Sequence, residues 1–127
     1  MNFQNILVPT DGSVNTHAAI ARAVELAKIT GGRITALYVK DKNADENTAR
    51  EATAYVAAQG KAAGIAVTEL TLSGTPAEVI AAESPKYDVI VMGTLGRTGM
   101  KKALMGSVAE TVVKHAVIPV IVVRNTV

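Results

Sequence analysis

Short apolar runs alternate along the chain with segments whose apolar residues recur at helical spacing. In the first of these segments Ile20, Val24 and Ala27 follow one another at positions i, i+4 and i+7, and Gly31 and Gly32 come directly after its end. This periodicity, closed by glycine, predicts an amphipathic helix between two strands. The predicted strands are 6–8, 34–39, 65–72, 89–92 and 120–123, and the longest predicted helix is 45–63.

Two helix starts carry a capping box, in which a hydroxyl residue and a glutamate three positions later satisfy free backbone N–H groups. Thr75 is the predicted N-cap of a short third helix, with Pro76 at its first position and Glu78 closing the box. Ser107 is the predicted N-cap of a fourth helix, with Glu110 in the corresponding position. The pattern therefore predicts where both helices begin.

The order of the elements, strand and helix in alternation, determines the predicted fold. Successive strands that are separated by helices pair in parallel through right-handed crossovers. The run 89–92 is apolar at every position, which is typical of a strand covered on both faces. We therefore predict a Rossmann-like α/β fold, a single open parallel sheet of five strands with helices on both faces, in one domain over residues 1–127. Such sheets bind ligands beyond the carboxyl ends of their strands, where the strand order reverses.

Composition excludes several kinds of site and argues against several kinds of partner. The chain has 127 residues, of which 49% are hydrophobic, and a formal net charge of +2. Because it contains no cysteine, a disulfide framework, a thiolate metal site and a cysteine nucleophile are excluded. No apolar run approaches the roughly 20 residues of a membrane helix, and the chain opens with no signal-peptide pattern, so we expect a cytoplasmic protein without membrane contact. The small net charge, and the absence of aromatic residues from the basic segment 93–107, argue against a nucleic-acid partner.

The segment 93–107, GTLGRTGMKKALMGS, does not fit ordinary packing. It contains four glycines, three basic residues and no acidic residue. Glycines let backbone N–H groups approach phosphate oxygens, and the helix that follows adds free N–H donors and the positive end of its dipole. Neither G-x-x-x-x-G-K-[ST] nor G-x-G-x-x-G occurs in the chain. Instead, the segment contains Gly93-x-x-Gly96, nine residues, and then Gly106-Ser107.

That spacing, directly after an apolar strand and before a helix, resembles the nucleotide-binding loop of the universal stress protein family. The resemblance covers essentially the whole chain, since 6–13 is similar to the family's first strand and turn and 37–39 to the end of its second strand. Segments 106–110 and 119–124 are similar to its closing helix and strand. The resemblance implies a sheet of strand order 3-2-1-4-5 and a place in the ATP-binding branch of the family.

The resemblance also implies which residues contact the nucleotide. The end of the first strand would line the adenosine site, Val39 would meet the adenine through its backbone, and the glycine-rich segment would follow the ribose and phosphates, which would also hold Mg²⁺. Leu95 departs from the polar or basic residue expected at its position, and Asp11 also fits a purely structural role in its turn. Carried over position by position, the implied set is Pro9, Thr10, Asp11, Val39, Met92, Gly93, Thr94, Gly96, Arg97, Gly106, Ser107 and Val108.

We predict from these features a stress-response regulatory protein that binds ATP, or another adenine nucleotide, and acts as a nucleotide-dependent dimeric switch. The resemblance implies a homodimer through the terminal edge strand, Val120 to Val123. Two alternatives stay open, a slow ATPase or autophosphorylating enzyme and a protein adaptor that does not use nucleotide. Hydrolysis needs a base or a water-orienting group, and 93–107 holds no histidine, aspartate or glutamate. We therefore expect binding rather than catalysis, with no catalytic residue and no dedicated metal site.

Overall fold

The computed structural model describes residues 2–42, 45–94 and 105–125. Within them five strands form one sheet in which every pair is parallel, in the order β3-β2-β1-β4-β5. The α/β fold predicted from the alternating pattern and the strand order implied by the resemblance are both confirmed. The strands are β1 (Asn5–Pro9), β2 (Arg33–Lys40), β3 (Val67–Ser73), β4 (Val89–Gly93) and β5 (Val120–Val123).

Four helices connect the strands, and two short 3₁₀ turns, Val14–Thr16 and Ser84–Lys86, adjoin the first and third of them. The second helix begins after Asp45, whose carboxylate accepts a hydrogen bond of 2.7 Å from the N–H of Thr48. Among the residues that the structure describes, no helix is both long enough and apolar enough to cross a membrane. The helices are α1 (His17–Thr30), α2 (Glu46–Ala62), α3 (Pro76–Glu83) and α4 (Ser107–His115).

The two predicted capping boxes do not form as the sequence suggested. Thr75 is the N-cap of α3, as predicted, but its side chain makes no capping hydrogen bond. The prediction that Ser107 caps α4 is wrong, because Gly106 occupies the N-cap with extended backbone (φ −74°, ψ 167°) and Ser107 is the first helical residue. The first intrahelical bond of α4 accordingly runs from the N–H of Glu110 to the carbonyl of Gly106, at 3.0 Å.

Strand side chains alternate between two apolar cores, one on each face of the sheet. On one face Ile6, Val8 and their neighbours in β2 and β4 pack against α1 and α2. On the other face Leu7, Leu37 and Ile90 pack against α3 and α4. The helices therefore cover both faces, as predicted, and the carboxyl ends of all five parallel strands lie at one edge of the sheet.

Candidate functional site

The carboxyl ends of β1 and β4 lie side by side at one edge of the sheet. These two strands are neighbours, but the chain leaves β1 towards β2 and leaves β4 towards β5 on the opposite side. In open α/β sheets such a divergence leaves a crevice at the edge, and ligands bind there. The sequence-predicted residues at the ends of β1, β2 and β4 and at the start of α4 are all brought to this edge.

The loop from β1 to α1 is held in one conformation by its own polar groups. The carboxylate of Asp11 accepts a hydrogen bond of 2.9 Å from the N–H of Ser13, and the hydroxyl of Thr10 accepts one of 3.1 Å from the N–H of Gly12. Gly12 lies at φ +83°, a left-handed conformation that glycine adopts at low cost. Asp11 is therefore fixed in a half-buried position at the end of the central strand.

A second threonine, Thr16, stabilises this loop through its hydroxyl. Its hydroxyl donates to the carbonyl of Ser13 at 2.7 Å and lies 3.3 Å from the hydroxyl of Thr10. Thr10 and Thr16 are 7% and 6% exposed, so both residues are buried beside the loop. Sequence reasoning did not single out Thr16, because only the folded loop shows that its hydroxyl meets that of Thr10.

The end of β4 and the start of α4 are joined directly. The N–H of Thr94 donates to the carbonyl of Val123 at 3.1 Å, and the carbonyl of Thr94 accepts from the N–H of Gly106. Met92, Gly93 and Thr94 are all buried at this strand end. The two ends of the glycine-rich segment therefore lie together, while Leu95, Gly96 and Arg97 lie outside the described residues.

The first turn of α4 presents backbone N–H groups at this edge. The N-cap residue is Gly106, which has no side chain with which to cap the helix. The first N–H groups of a helix have no partner within the helix, and the helix dipole gives this end a partial positive charge. Ser107 and Val108, both predicted as phosphate contacts, contribute the first of these donors, so this end of α4 is suited to an anion.

Val39 lies near the end of β2, half-buried against the core beneath α3 and α4. Beside it, Lys40 accepts a hydrogen bond of 3.0 Å at its carbonyl from the N–H of Gly74. The Lys40 ammonium also pairs with Glu46, and its hydrogen bond and positive charge hold the pKa of that carboxyl below its ordinary value. Within residues 2–42, 45–94 and 105–125 there is no group of three or more histidine, cysteine, aspartate or glutamate side chains that could hold a metal ion.

Known proteins resemble this chain over nearly its whole length. Residues 2–124 match the model of the Universal stress protein family. The Universal stress protein MJ0531 of Methanocaldococcus jannaschii is 34% identical over 141 aligned positions, which cover 97% of this chain and 83% of that protein. The solved structure of the hypothetical protein MJ0577 superposes with a TM-score of 0.88 at 28% identity and covers 100% of both chains.

A further structural neighbour is a universal stress protein that was solved in complex with cAMP. It superposes with a TM-score of 0.81 at 24% identity, covering 99% of this chain and 100% of its own. At that identity the likeness concerns the fold alone. The strand order and the helices on both faces of the sheet are thus shared with proteins of known structure.

Proposed function

This chain belongs to the universal stress protein family, and we propose on that basis that it is a stress-response regulatory protein that binds an adenine nucleotide, ATP in the first instance. The nucleotide would lie in the crevice at the carboxyl edge, between the loop that follows β1 and the start of α4. The neighbour solved with cAMP supports the proposal, since a protein of the same fold holds an adenine nucleotide.

The observation that carries the proposal is the backbone hydrogen bond between Gly106 and Thr94. It sets the uncapped first turn of α4 beside the end of β4, where phosphate oxygens would accept from the N–H groups of Ser107 and Val108. The carboxylate of Asp11, at the neighbouring strand end, can accept from ribose hydroxyls or from the amino group of adenine. The two sides of the crevice therefore suit the two ends of a nucleotide.

The remaining members of the proposed set complete this arrangement. Gly93 and Thr94 would face the ribose, and Pro9, Thr10 and Val39 would border the adenosine. Met92 would lie against the ribose, and the family resemblance adds Gly96 and Arg97 as phosphate contacts. Mg²⁺, where present, would be held by the phosphates of ATP.

Binding rather than efficient catalysis is the proposed role. Phosphoryl transfer to water needs a base or a group that orients the water, in addition to groups that hold the phosphates. The segment 93–107 contains no histidine, aspartate or glutamate, and Asp11 is assigned to the adenosine end. The residues proposed here would hold and orient the nucleotide without activating water.

Mass spectrometry of the small molecules released from freshly purified, denatured protein tests the proposal. We expect an adenine nucleotide, and we expect calorimetry of the nucleotide-free protein to show saturable binding of ATP. A preparation that releases no nucleotide, and that gives no binding heat with ATP at millimolar concentration, would contradict the proposed function.

The second part of the proposal is a homodimer through β5. This strand lies at the edge of the sheet, and an uncovered edge strand offers backbone groups for pairing with another chain. Beside it lies a groove of about 400 Å³, whose lining is mostly apolar and includes Leu26, Ile29 and Ile121, with the ion pair of Arg22 and Glu25 as its charged part. Ile29 is 82% exposed and Ile121 is 39% exposed. Pairing of two β5 strands would shield these side chains from water.

The helix α4 would make the dimer responsive to nucleotide. Its first turn lies at the proposed phosphate site, and β5 follows its last turn after a short connection. A shift of α4 on nucleotide binding would therefore reach the edge strand directly. This connection is the physical basis that we propose for a nucleotide-dependent dimeric switch.

Replacing Ile121 by lysine should convert the dimer to a monomer. A lysine on an edge strand places a charge where the second chain would pair, which is how many native edge strands avoid association. Analytical ultracentrifugation at micromolar concentration measures the change, with Val14→Lys as the control. Val14 is 64% exposed but lies in the 3₁₀ turn before α1. The proposed interface would be wrong if both variants kept the assembly of the wild-type protein.

A further inference from the structure

A second pocket lies where the loop between β1 and α1 faces α2. It has a volume of about 160 Å³, and its lining includes Thr10, Thr16, His17, Glu51 and Tyr55. The loop packs closely against α2 here, since a Cβ added to Gly12 would lie 3.3 Å from the Cβ of Ala52. The pocket is therefore a cleft between the starts of α1 and α2, closed at its base by the loop.

This pocket is separate from the proposed nucleotide crevice because the two lie towards opposite faces of the sheet. The hydroxyl of Thr10 meets Thr16, next to α1, and Ala52 belongs to α2. Val39, Met92 and Val108, by contrast, pack in the core beneath α3 and α4. A ligand of the pocket would therefore contact the loop from the side of α1 and α2.

The hydroxyls at the base of the pocket can only accept hydrogen bonds. Thr16 has one hydroxyl proton, and it is donated to the carbonyl of Ser13 at 2.7 Å. The contact of 3.3 Å between Thr16 and Thr10 must then use the proton of Thr10. Each hydroxyl oxygen keeps lone-pair capacity but has no proton left to donate. The base of the pocket consequently selects for ligands that carry N–H or O–H groups.

The charge of the pocket also favours a ligand that donates hydrogen bonds. Glu51 carries the formal charge among the lining residues, and no described residue forms an ion pair or a hydrogen bond with its carboxylate. A carboxylate in the same lining as two hydrogen-bond acceptors favours a positively charged ligand. The rings of His17 and Tyr55 are stacked, with centroids 4.2 Å apart and planes inclined by 8°. Aromatic faces at this site can also attract a cation or stack on a planar group.

We propose that this pocket binds a small planar organic cation, such as an amidinium or guanidinium group carried on a single ring. The volume of about 160 Å³ is close to that of protein cavities of about 150 Å³ that accommodate benzene. The N–H groups of the cation would donate to Thr10 and Thr16, and its charge would be balanced by Glu51. The pocket is a different site from the proposed nucleotide crevice, although the two share the loop that contains Gly12, and Thr10 belongs to both.

Titration of the nucleotide-free, full-length protein with benzamidinium, followed by two-dimensional ¹H–¹⁵N NMR, tests this site. Benzamide serves as a neutral probe of nearly the same shape, at constant ionic strength. We expect saturable shifts at the amides of Gly12, Thr16 and Thr48 with benzamidinium and much weaker binding of benzamide. Glu51→Gln should weaken benzamidinium binding about tenfold, because a charge-assisted hydrogen bond becomes a neutral one.

Glu78→Gln provides the matched control, because Glu78 is also an exposed helical glutamate but lies in α3 on the other face of the sheet. It should leave benzamidinium binding unchanged, and the spectrum of each variant shows directly whether it is folded. Shifts that stay linear up to the solubility limit would overturn the proposal. Equal binding of the charged and neutral probes, or equal effects of the two glutamine variants, would overturn it as well.

Discussion

Replacement of Gly106 by aspartate should remove most of the affinity for ATP while leaving the fold at least as stable. Gly106 is the N-cap of α4, and its extended backbone is accessible to any residue. Aspartate at an N-cap accepts hydrogen bonds from the first turn and interacts favourably with the helix dipole, so helix stability should rise or stay level. The same carboxylate would occupy the N–H donors that we assign to phosphate and would repel it.

The expected loss in affinity is large. Two like charges about 5 Å apart at an effective dielectric constant of about 20 repel by about 3 kcal/mol, which corresponds to more than about a 100-fold weakening. Calorimetry with ATP and with adenosine separates the two ends of the site, because adenosine binding should hardly change. Gly106→Asn is the control, since asparagine caps the helix without a charge. If the aspartate variant bound ATP as tightly as the asparagine variant, phosphate would not lie at the start of α4.

Replacement of Gly32 by alanine should lower the free energy of unfolding by more than the same replacement at the neighbouring Gly31. A Cβ at this position would lie 2.8 Å from the Cα and 2.9 Å from the carbonyl carbon of Gln4, and closer still to its carbonyl oxygen. These are backbone atoms, and the N–H of Arg33 is bonded to the same carbonyl at 2.7 Å. The Thr30 hydroxyl also donates to the carbonyl of Phe3 at 3.1 Å, so the two segments cannot separate without breaking bonds.

We expect Gly32→Ala to lower the free energy of unfolding by about 3 kcal/mol, the upper part of the usual range for overpacking. Gly31→Ala is the matched control. Gly31 lies at φ +70°, and no atom of the described residues lies within 4 Å of an added Cβ, so it should lose only about 1 kcal/mol from backbone strain. Urea unfolding of both variants measures the difference. Equal losses at the two positions would show that the backbone around Gln4 can yield to a methyl group.

The periodicity of the chain was sufficient to predict the elements, because strands buried on both faces and helices with one apolar face leave different patterns. It could not give the order of the strands, since alternation alone does not say which strands are neighbours. That order came from the resemblance of particular loops to a known family. The pair Gly31 and Gly32 shows the same limit, since both were predicted to end α1. Only the folded backbone separates a left-handed position from a close contact with Gln4.

The predictions that were wrong or incomplete at the site have a common physical cause. Serine is a better N-cap than glycine in isolation, so the sequence favoured Ser107. In the fold, the N–H of Gly106 donates a hydrogen bond to the carbonyl of Thr94, and this contact sets where α4 begins. Because the two residues are twelve positions apart, no local sequence pattern reveals it. Thr16 and the pocket beside Glu51 likewise depend on the approach of α1, α2 and the first loop, which no local pattern specifies.

The hydrogen bond from Gly106 to Thr94 joins the end of β4 to the start of α4 independently of the number of residues that link them in the chain. The entropic cost of closing a loop rises only by about 0.6 kcal/mol for each doubling of its length. Insertion of residues between these two positions should therefore cost little stability while β4 and α4 stay in place. Such insertions give evolution a way to change the reach or selectivity of the proposed nucleotide site on an unchanged sheet.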